Sequence, residues 1–468
     1  MRADPDKLER AFNPKVIAIV GDSGYLEWLR CTAKFSGKRY SVQVNPKTIA
    51  RIEAMGVDNF TSLLDIPEPV DFVIVAVGRK YALDVLEDCI SKEIPAGHFF
   101  TAGFTETHTA DGAEFEAALT RRATESGFHL IGPNCLGIFN PGIGLRQEEA
   151  QYVGTTGPVG FISQSGTHAM QFSLEAHLQG VDISKSVSFG NGSVLDAAEF
   201  LDYFGRDDSI KVIGMYLEGV RDGRRLIEVL RDVSSRKPVV VWKGGRTAGS
   251  SRAIASHTGS LAVPQNIWVS TMRQCGAITV SGLDEIVDTL KALIYLKPVE
   301  GNRVVLAGGS GGQSVAISDA FTEIGLEVPP LSQASYDQFE SFFSVIGGSY
   351  SNPIDTGNQN QVHLPRIMDI IEKDANTDNI VLLLNAGSGP PGVADQKSEE
   401  IETAIALSQR TAKPVMVCSS VFFLPTMVGK ARAMIKTLQG GGVPVFTSLE
   451  RGALALKNAL DYYRFRSR

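Results

Sequence analysis

Cysteine is scarce in this chain of 468 residues, and its five cysteines (Cys31, Cys89, Cys135, Cys275 and Cys418) lie far apart with no CxxC pair. An odd, scattered set supports neither a disulfide framework nor a zinc site, so a reducing compartment and no metal ligand set are expected. Long apolar runs are missing as well. Nothing approaches the roughly 20 consecutive apolar residues needed to cross a bilayer, and Met1 to Asn13 is charged where a signal peptide is apolar. The expectation is a cytoplasmic protein with no membrane contact. Positive charge is not in excess either: the formal net charge of -7 gives no general attraction to nucleic acid or anionic lipid, so an anionic ligand must be met by local donors. A GxxxxGK[ST] phosphate loop is also lacking, because the glycine turns at Gly21, Gly166 and Gly309 have no Lys-Ser or Lys-Thr after them.

What the chain has is a recurring strand, turn and helix. Val16 to Val20 ends in Gly21-Asp22-Ser23-Gly24 and leads into a helical stretch; Tyr40 to Val44 runs into Asn45-Pro46-Lys47. Phe72 to Val77 ends in Gly78-Arg79, His98 to Thr101 leads to Ala102-Gly103-Phe104, and Phe128 to Ile131 ends in Gly132-Pro133-Asn134-Cys135-Leu136-Gly137. Apolar runs with turn residues at their C-terminal ends and helices between them predict a parallel sheet, whose ligands bind beyond the strand carboxyl ends. The first turn lacks the full GxGxxG spacing, so it reads equally as a diphosphate-binding turn or a structural one.

After a glycine-rich bridge from Pro141 to Gly157 the pattern resumes. Val159 to Ser163 enters Gln164-Ser165-Gly166-Thr167 and a helix, which is either an anion seat or an ordinary capped helix start. Val212 to Leu217 ends in Glu218-Gly219. Pro238 to Trp242 leads to a segment rich in Gly, Ser, Thr and Ala that holds Ser256-His257-Thr258-Gly259-Ser260. Such a segment reads as a mobile, anion-friendly loop, and its imidazole is a possible phosphoryl acceptor. Glu218, on the same sheet edge, is placed to orient that imidazole and stabilise its cation. From Val304 the order repeats: Val304 to Gly311 echoes Val159 to Gly166, Ile380 to Gly387 echoes the strand ending at Gly219, and Val443 to Phe446 echoes Ala277 to Val280. In this copy Ala386-Gly387 stands for Glu218-Gly219, and no His-Thr-Gly follows Lys413 to Val417. Loss of the carboxylate and the histidine together argues that they act as a pair. The fold class expected is therefore α/β with three doubly wound domains, residues 1–145, 155–297 and 298–468.

The Asn45 to Lys47 turn, Ala102 to Phe104 with Glu106, GPNCLG at Gly132 to Gly137, the Ser163 to Thr167 turn, Leu217 to Gly219, SHTGSLA at Ser256 to Ala262 and Asn352 to Asp355 carry a resemblance over nearly the whole chain. The chain resembles the NDP-forming acyl-CoA synthetases, in particular the alpha subunit of ADP-forming acetyl-CoA synthetase, which is related to succinyl-CoA synthetase. The resemblance implies a Rossmann-like coenzyme A domain followed by two flavodoxin-like domains. It makes His257 the phosphoryl acceptor and Glu218 its partner, with Ser163, Ser165, Gly166 and Thr167 around the phosphate. Gly21, Asp22, Ser23, Asn45, Pro46, Lys47, Ala102, Gly103, Phe104, Asn134 and Cys135 would line the coenzyme A site, Cys135 as a wall and not as a nucleophile. ADP or ATP with Mg2+ would be held by an ATP-grasp beta subunit in an alpha2beta2 assembly, and the substrate would be a small carboxylic acid or its acyl-CoA. The sequence departs from the family at Tyr25 to Trp28, at Val77-Gly78-Arg79 and at Val263. The first two departures fall at the expected coenzyme A site and give an alternative: a coenzyme A-sensing, non-catalytic homologue.

Overall fold

The computed structural model describes residues 2–22, 24–247, 249–250, 264–308, 311–357, 361–384, 393–419 and 425–467, and the chain divides into two compact units, residues 1–286 and 287–468. The first unit opens with α1 (Pro5–Phe12), β1 (Val16–Val20), α2 (Glu27–Cys31), β2 (Lys38–Val42), α3 (Pro46–Ala54), β3 (Asn59–Phe60), β4 (Phe72–Val75), α4 (Ala82–Ser91), β5 (Ala96–Phe99), α5 (Ala110–Ser126) and β6 (His129–Ile131). These strands form one sheet in the order β3-β2-β1-β4-β5-β6, parallel throughout. β1 and β4 are buried along their whole length, as their continuous apolar sequences require when both sheet faces are covered.

The next strand, β7 (Gly137–Phe139), leaves this sheet. It pairs antiparallel with β9 (Ile183–Ser188), Gly137 opposite Ser188 and Phe139 opposite Ser186. The second sheet continues with β8 (Val159–Ser163), α6 (Gly166–Leu178), β9, α7 (Ala197–Arg206), β10 (Val212–Leu217), α8 (Gly223–Ser234), β11 (Val239–Lys243), α9 (Gln265–Gln274) and β12 (Ile278–Val280), in the strand order β12-β11-β10-β8-β9-β7. One apolar core runs through both sheets and joins Phe12, Ile74, Ile131 and Ile138 to Ile162, Phe189, Phe200 and Met215. Phe12 stacks on Tyr203 at 5.0 Å, and the Tyr203 hydroxyl donates to Glu9 of α1. The Pro141 to Gly157 stretch is no loose bridge: Arg146 is buried and donates to the carbonyls of Cys31 and Arg30, while Gln151 Oε1 accepts from the N–H groups of Gln147 and Glu148.

α10 (Leu283–Tyr295) carries the chain into the second unit, which holds β13 (Val304–Gly308), α11 (Gly311–Thr322), α12 (Gln333–Glu340), α13 (Leu364–Lys373), β14 (Asn379–Leu383), α14 (Val393–Arg410), β15 (Val415–Cys418), α15 (Pro425–Gly440), β16 (Val445–Phe446) and α16 (Leu449–Arg466). Its sheet has the order β13-β14-β15-β16, all parallel. This repeats β8-β10-β11-β12 with the same register. Val212 faces Val159 and Ile213 faces Val239 in the first copy; Asn379 faces Val304 and Ile380 faces Val415 in the second. Ala386 and Gly387, which stand for Glu218 and Gly219 in this copy by sequence, lie outside the described residues.

Candidate active site

Parallel neighbours β8, β10 and β11 end together, with Tyr216 opposite Ser163 and Leu217 opposite Lys243. Everything that follows these strands therefore leaves from one edge. Beyond β8, Ser165 is the N-cap of α6, with extended backbone and its side chain accepting from His168 N–H. The first intrahelical bond runs from Ala169 N–H to the Ser165 carbonyl, so the N–H groups of Gly166 and Thr167 precede the ladder and face outward with the positive end of the helix dipole. Ser163, fully buried, braces the turn: its hydroxyl donates to the Ser165 carbonyl at 2.6 Å and accepts from Ser165 N–H.

A cavity of about 250 Å³ opens at this helix start. One wall is Gln164, Ser165, Gly166 and Thr167, a second is Asn134, Cys135 and Leu136 with Phe100, and a third is Gly190 with Asn191. The walls interlock by close backbone approach. Gly190 has φ +53°, and a Cβ there would lie 2.2 Å from the Asn134 carbonyl oxygen and 2.4 Å from that of Pro133. Asn191 N–H donates to the Pro133 carbonyl and Ser193 N–H to that of Gly132, each at 3.0 Å. The Asn191 amide donates to Glu116 and Glu106 at 2.9 and 2.8 Å, and Arg221 closes the cluster on Glu116 at 3.1 Å. Hydrogen bonds from Thr105, Ser193 and Asn191 outweigh the burial of Glu116 and hold its carboxyl below the usual range. Cys135 is buried in the wall, and burial pushes its thiol up to about 12, which keeps it protonated and inert.

Glu218 is 8% exposed, one residue past β10. Its backbone N–H and that of Gly219 both donate to Gln164 Oε1, at 2.8 and 2.9 Å, which ties the carboxylate-bearing residue to the cavity wall. Tyr216 donates its hydroxyl to Glu218 Oε1 at 3.1 Å, and Gly244 leaves room for that hydroxyl, since a Cβ at 244 would come within 2.7 Å of the Tyr216 oxygen. Lys243, buried, donates to the carbonyls of Glu218 and Gly244 and lies over the Trp268 ring at 5.5 Å. Its ammonium is held below the usual lysine range by burial, against the pull of Glu218. His168 packs between Tyr216 and Trp242, and burial lowers its basicity. The segment holding His257 leaves β11 beyond this point; His257, Ser256 to Ala262 and Val263 lie outside the described residues.

At the first sheet the expected ligand residues spread along its carboxyl edge. Gly21 has φ +99°, with the Ala76 carbonyl oxygen 2.4 Å from where a Cβ would sit, so only glycine permits this turn. Asp22 is 3% exposed and its carboxylate accepts from Trp28 and Leu29 N–H in the first turn of α2, at 3.2 and 2.9 Å. Ser23 lies outside the described residues. Asn45 caps α3 by accepting from Lys47 N–H at 3.0 Å, and Asn45, Pro46 and Lys47 are exposed at that helix start. Ala102 is exposed, Phe104 is buried, and Glu106 Oε1 accepts from the N–H groups of Gly103 and Phe104. Within the two departures at this sheet, Trp28 and Arg79 make structural contacts, while Tyr25 is 80% exposed. Trp28 is buried 4.7 Å from His98 and 5.3 Å from Phe100, and Arg79 donates to the Gly103 carbonyl and pairs with Asp111 at 2.7 Å. Among the described residues no cluster of His, Cys, Asp or Glu could hold a metal ion, and no helix is long and apolar enough to cross a membrane.

Of the residues expected from sequence, Asn134, Cys135, Ser165, Gly166 and Thr167 line one cavity, Ser163 lies beneath it and Glu218 is tied to its wall. Gly21, Asp22, Asn45 to Lys47 and Ala102 to Phe104 do not line it. Sequence reasoning missed the roles of Gln164, Gly190, Asn191, Tyr216 and Lys243. A signal for one wall was present in Gly190-Asn191-Gly192, a turn after β9, but the Ser and Lys residues of β9 hide that strand from an apolar-run search.

Residues 15–141 match the family model described as a CoA binding domain, and residues 156–293 match the one described as a succinyl-CoA ligase like flavodoxin domain. The chain is 30% identical over 455 residues to the Pyrococcus furiosus protein named acetate–CoA ligase [ADP-forming] II subunit alpha, covering 96% of each. It is 34% identical over 383 residues to acetate–CoA ligase [ADP-forming] I of Archaeoglobus fulgidus, covering 81% of this chain but only 55% of that protein. The name subunit alpha implies a second kind of subunit in the Pyrococcus protein, and the longer Archaeoglobus relative extends well beyond the matched region. Among solved structures, a dinucleotide forming acetyl-coenzyme A synthetase 1 of Ca. Korarchaeum cryptofilum, in complex with phosphate and ADP, superposes with a TM-score of 0.84 at 29% identity, covering 98% of this chain and 97% of that one.

Proposed function

Because the chain belongs to the family of ADP-forming acyl-CoA synthetases, in the form of their alpha subunits, we propose that it interconverts an acyl-CoA, phosphate and ADP with the free acid, coenzyme A and ATP. The observation that carries the reading is the cavity in which the Asn134 to Leu136 turn meets the α6 N-terminus, beside an edge that holds Glu218 and launches the segment of His257. Phosphate seated at Ser165, Gly166 and Thr167 attacks the thioester carbonyl, and coenzyme A leaves as thiolate. His257 then takes the phosphoryl group from the acyl phosphate and releases the carboxylate. Glu218, held by Tyr216 and Gln164, stabilises the imidazolium that forms. Movement of the His257 segment carries the phosphoryl group to ADP on a partner subunit.

Coenzyme A is assigned to the carboxyl edge of the first sheet, where Asn45, Pro46, Lys47 and Ala102 are exposed and the Lys47 side chain can meet a phosphate. The Asp22 carboxylate accepts from Trp28 and Leu29 N–H and so fixes the turn that follows Gly21. In this reading residues 1–145 bind coenzyme A, 155–297 carry the phosphoryl chemistry, and 298–468 form the copy without the pair. An ATP-grasp beta subunit in an alpha2beta2 assembly, working in the cytoplasm, supplies ADP and Mg2+.

The test is phosphorylation of the purified chain by acyl-CoA with labelled phosphate, and by ATP with the partner subunit. An acid-labile, alkali-stable label mapping to His257 is expected. Label that persists in His257→Ala sinks the assignment, and tight Mg2+-dependent ADP binding by the chain alone sinks the partner claim.

A further inference from the structure

We infer that Gln164 contacts the substrate: its side-chain NH2 donates a hydrogen bond to an oxygen of inorganic phosphate seated at the α6 N-terminus. The inference rests on the function proposed above and adds a donor to its phosphate site. Gln164 is 8% exposed, so nine-tenths of it is out of water. Its Oε1 accepts two backbone N–H groups, from Glu218 and Gly219. Two donors converging on one end of an amide fix its orientation chemically, because an NH2 in that place would set donor against donor.

The NH2 end is therefore the end left over. Among the described residues it has no partner, and the residue lines the 250 Å³ cavity directly beside Ser165, Gly166 and Thr167. The NH2 is open to the cavity and is not sealed in the protein, so a ligand entering the cavity can take its hydrogens. The acceptor that suits this place is an anion. The start of α6 supplies unpaired N–H groups and a positive dipole end, and among the described residues no carboxylate lines the cavity to repel one. Among the described residues the lining holds no Lys or Arg, and the donors it offers are neutral.

Gln164 thus faces two ways: its oxygen fixes the backbone of Glu218 and its nitrogen holds phosphate. Gln164→Glu keeps an acceptor for the Glu218 and Gly219 N–H groups but exchanges the donated hydrogen for a negative charge, so it opposes phosphate by the lost bond and by repulsion together, and a crystal structure of the wild type with phosphate separates the two. The full chain is titrated calorimetrically with inorganic phosphate as wild type and as Gln164→Glu. One hydrogen bond to a charged acceptor corresponds to about a ten- to hundredfold change in affinity, so at least a tenfold weakening is expected with an unchanged thermal transition. Wild-type affinity in Gln164→Glu, or no phosphate binding by the wild type, overturns the inference. Should the variant fail to fold, a crystal structure of the wild type with phosphate decides: an oxygen within about 3.2 Å of Nε2 supports the contact, and a phosphate held only by other donors refutes it. Neither measurement uses acyl-CoA or nucleotide, so a chain that binds phosphate through Gln164 yet forms no acyl phosphate fails the functional reading and leaves this one intact.

Discussion

Gly190→Ala should cost far more than a glycine replacement normally does, because its Cβ has no space to enter. At φ +53° an alanine first meets the left-handed penalty of about 1–2 kcal/mol. Its methyl would then lie 2.2 and 2.4 Å from two backbone carbonyl oxygens that cannot rotate away. Separating them breaks the bonds from Asn191 N–H to Pro133 and from Ser193 N–H to Gly132, worth about 1 kcal/mol each. The total expected is about 3–4 kcal/mol. Gly56→Ala is the control, since Gly56 has φ +70° with nothing within 4 Å of its Cβ, and it should lose only the about 1–2 kcal/mol of backbone strain. All three tryptophans, Trp28, Trp242 and Trp268, belong to the first unit, so urea unfolding followed by tryptophan fluorescence reports that unit alone, and linear extrapolation gives the difference. If the two variants agree within about 0.5 kcal/mol, the usual scatter of innocuous substitutions, the interlocked walls contribute nothing and the account of the cavity fails. Phosphate binding should weaken in Gly190→Ala and stay unchanged in Gly56→Ala.

Glu218→Gln keeps the shape and removes the charge; carboxylate-to-amide changes beside catalytic histidines cost up to about 10⁴-fold, so phosphorylation of His257 should fall steeply while the thermal transition holds. Phosphorylation within twofold of wild type would make Glu218 a structural residue. His98 is 1% exposed with neither ring nitrogen hydrogen-bonded, and burial drives its pKa from 6.5 down to about 3. Below pH 6.5 the unfolded chain takes up a proton that the folded chain refuses, so stability should fall by about 1.4 kcal/mol per pH unit as pH drops toward 3. His98→Leu should remove that slope in urea titrations between pH 6.5 and 4, and a slope that survives the substitution assigns the acid sensitivity elsewhere.

The parts of the fold that were legible are those where burial and sequence agree. β1, β8, β10 and β11 are apolar runs because both faces of their sheets are covered, and the second copy was visible because the same register demands the same pattern. β9 was illegible since Ser184, Lys185, Ser186 and Ser188 are polar residues buried in the strand, Lys185 paired with Asp207 and Ser184 with Ser209. β7 is three residues following a turn, too short to carry a period. At the site, glycine and hydroxyl residues announced an anion seat. The double use of Gln164 and the use of Asp22 to accept from the first turn of α2 depend on which backbone groups come to face these side chains, which side-chain type does not reveal.

The defection of β7 to its neighbour's sheet changes how this protein can be cut and recombined. By motif, residues 137–139 belong to the first coding module, yet their hydrogen bonds are made with β9 in the second. A fragment or chimera joined between residues 145 and 155 would part a strand from its mate and uncover the edge of β9, an open template for pairing with other chains. A junction that respects the fold lies before Gly132, so that the whole Gly132 to Phe139 segment travels with the second sheet. Libraries shuffled at the apparent motif boundary should therefore yield aggregates, while those shuffled at the earlier seam should yield folded proteins.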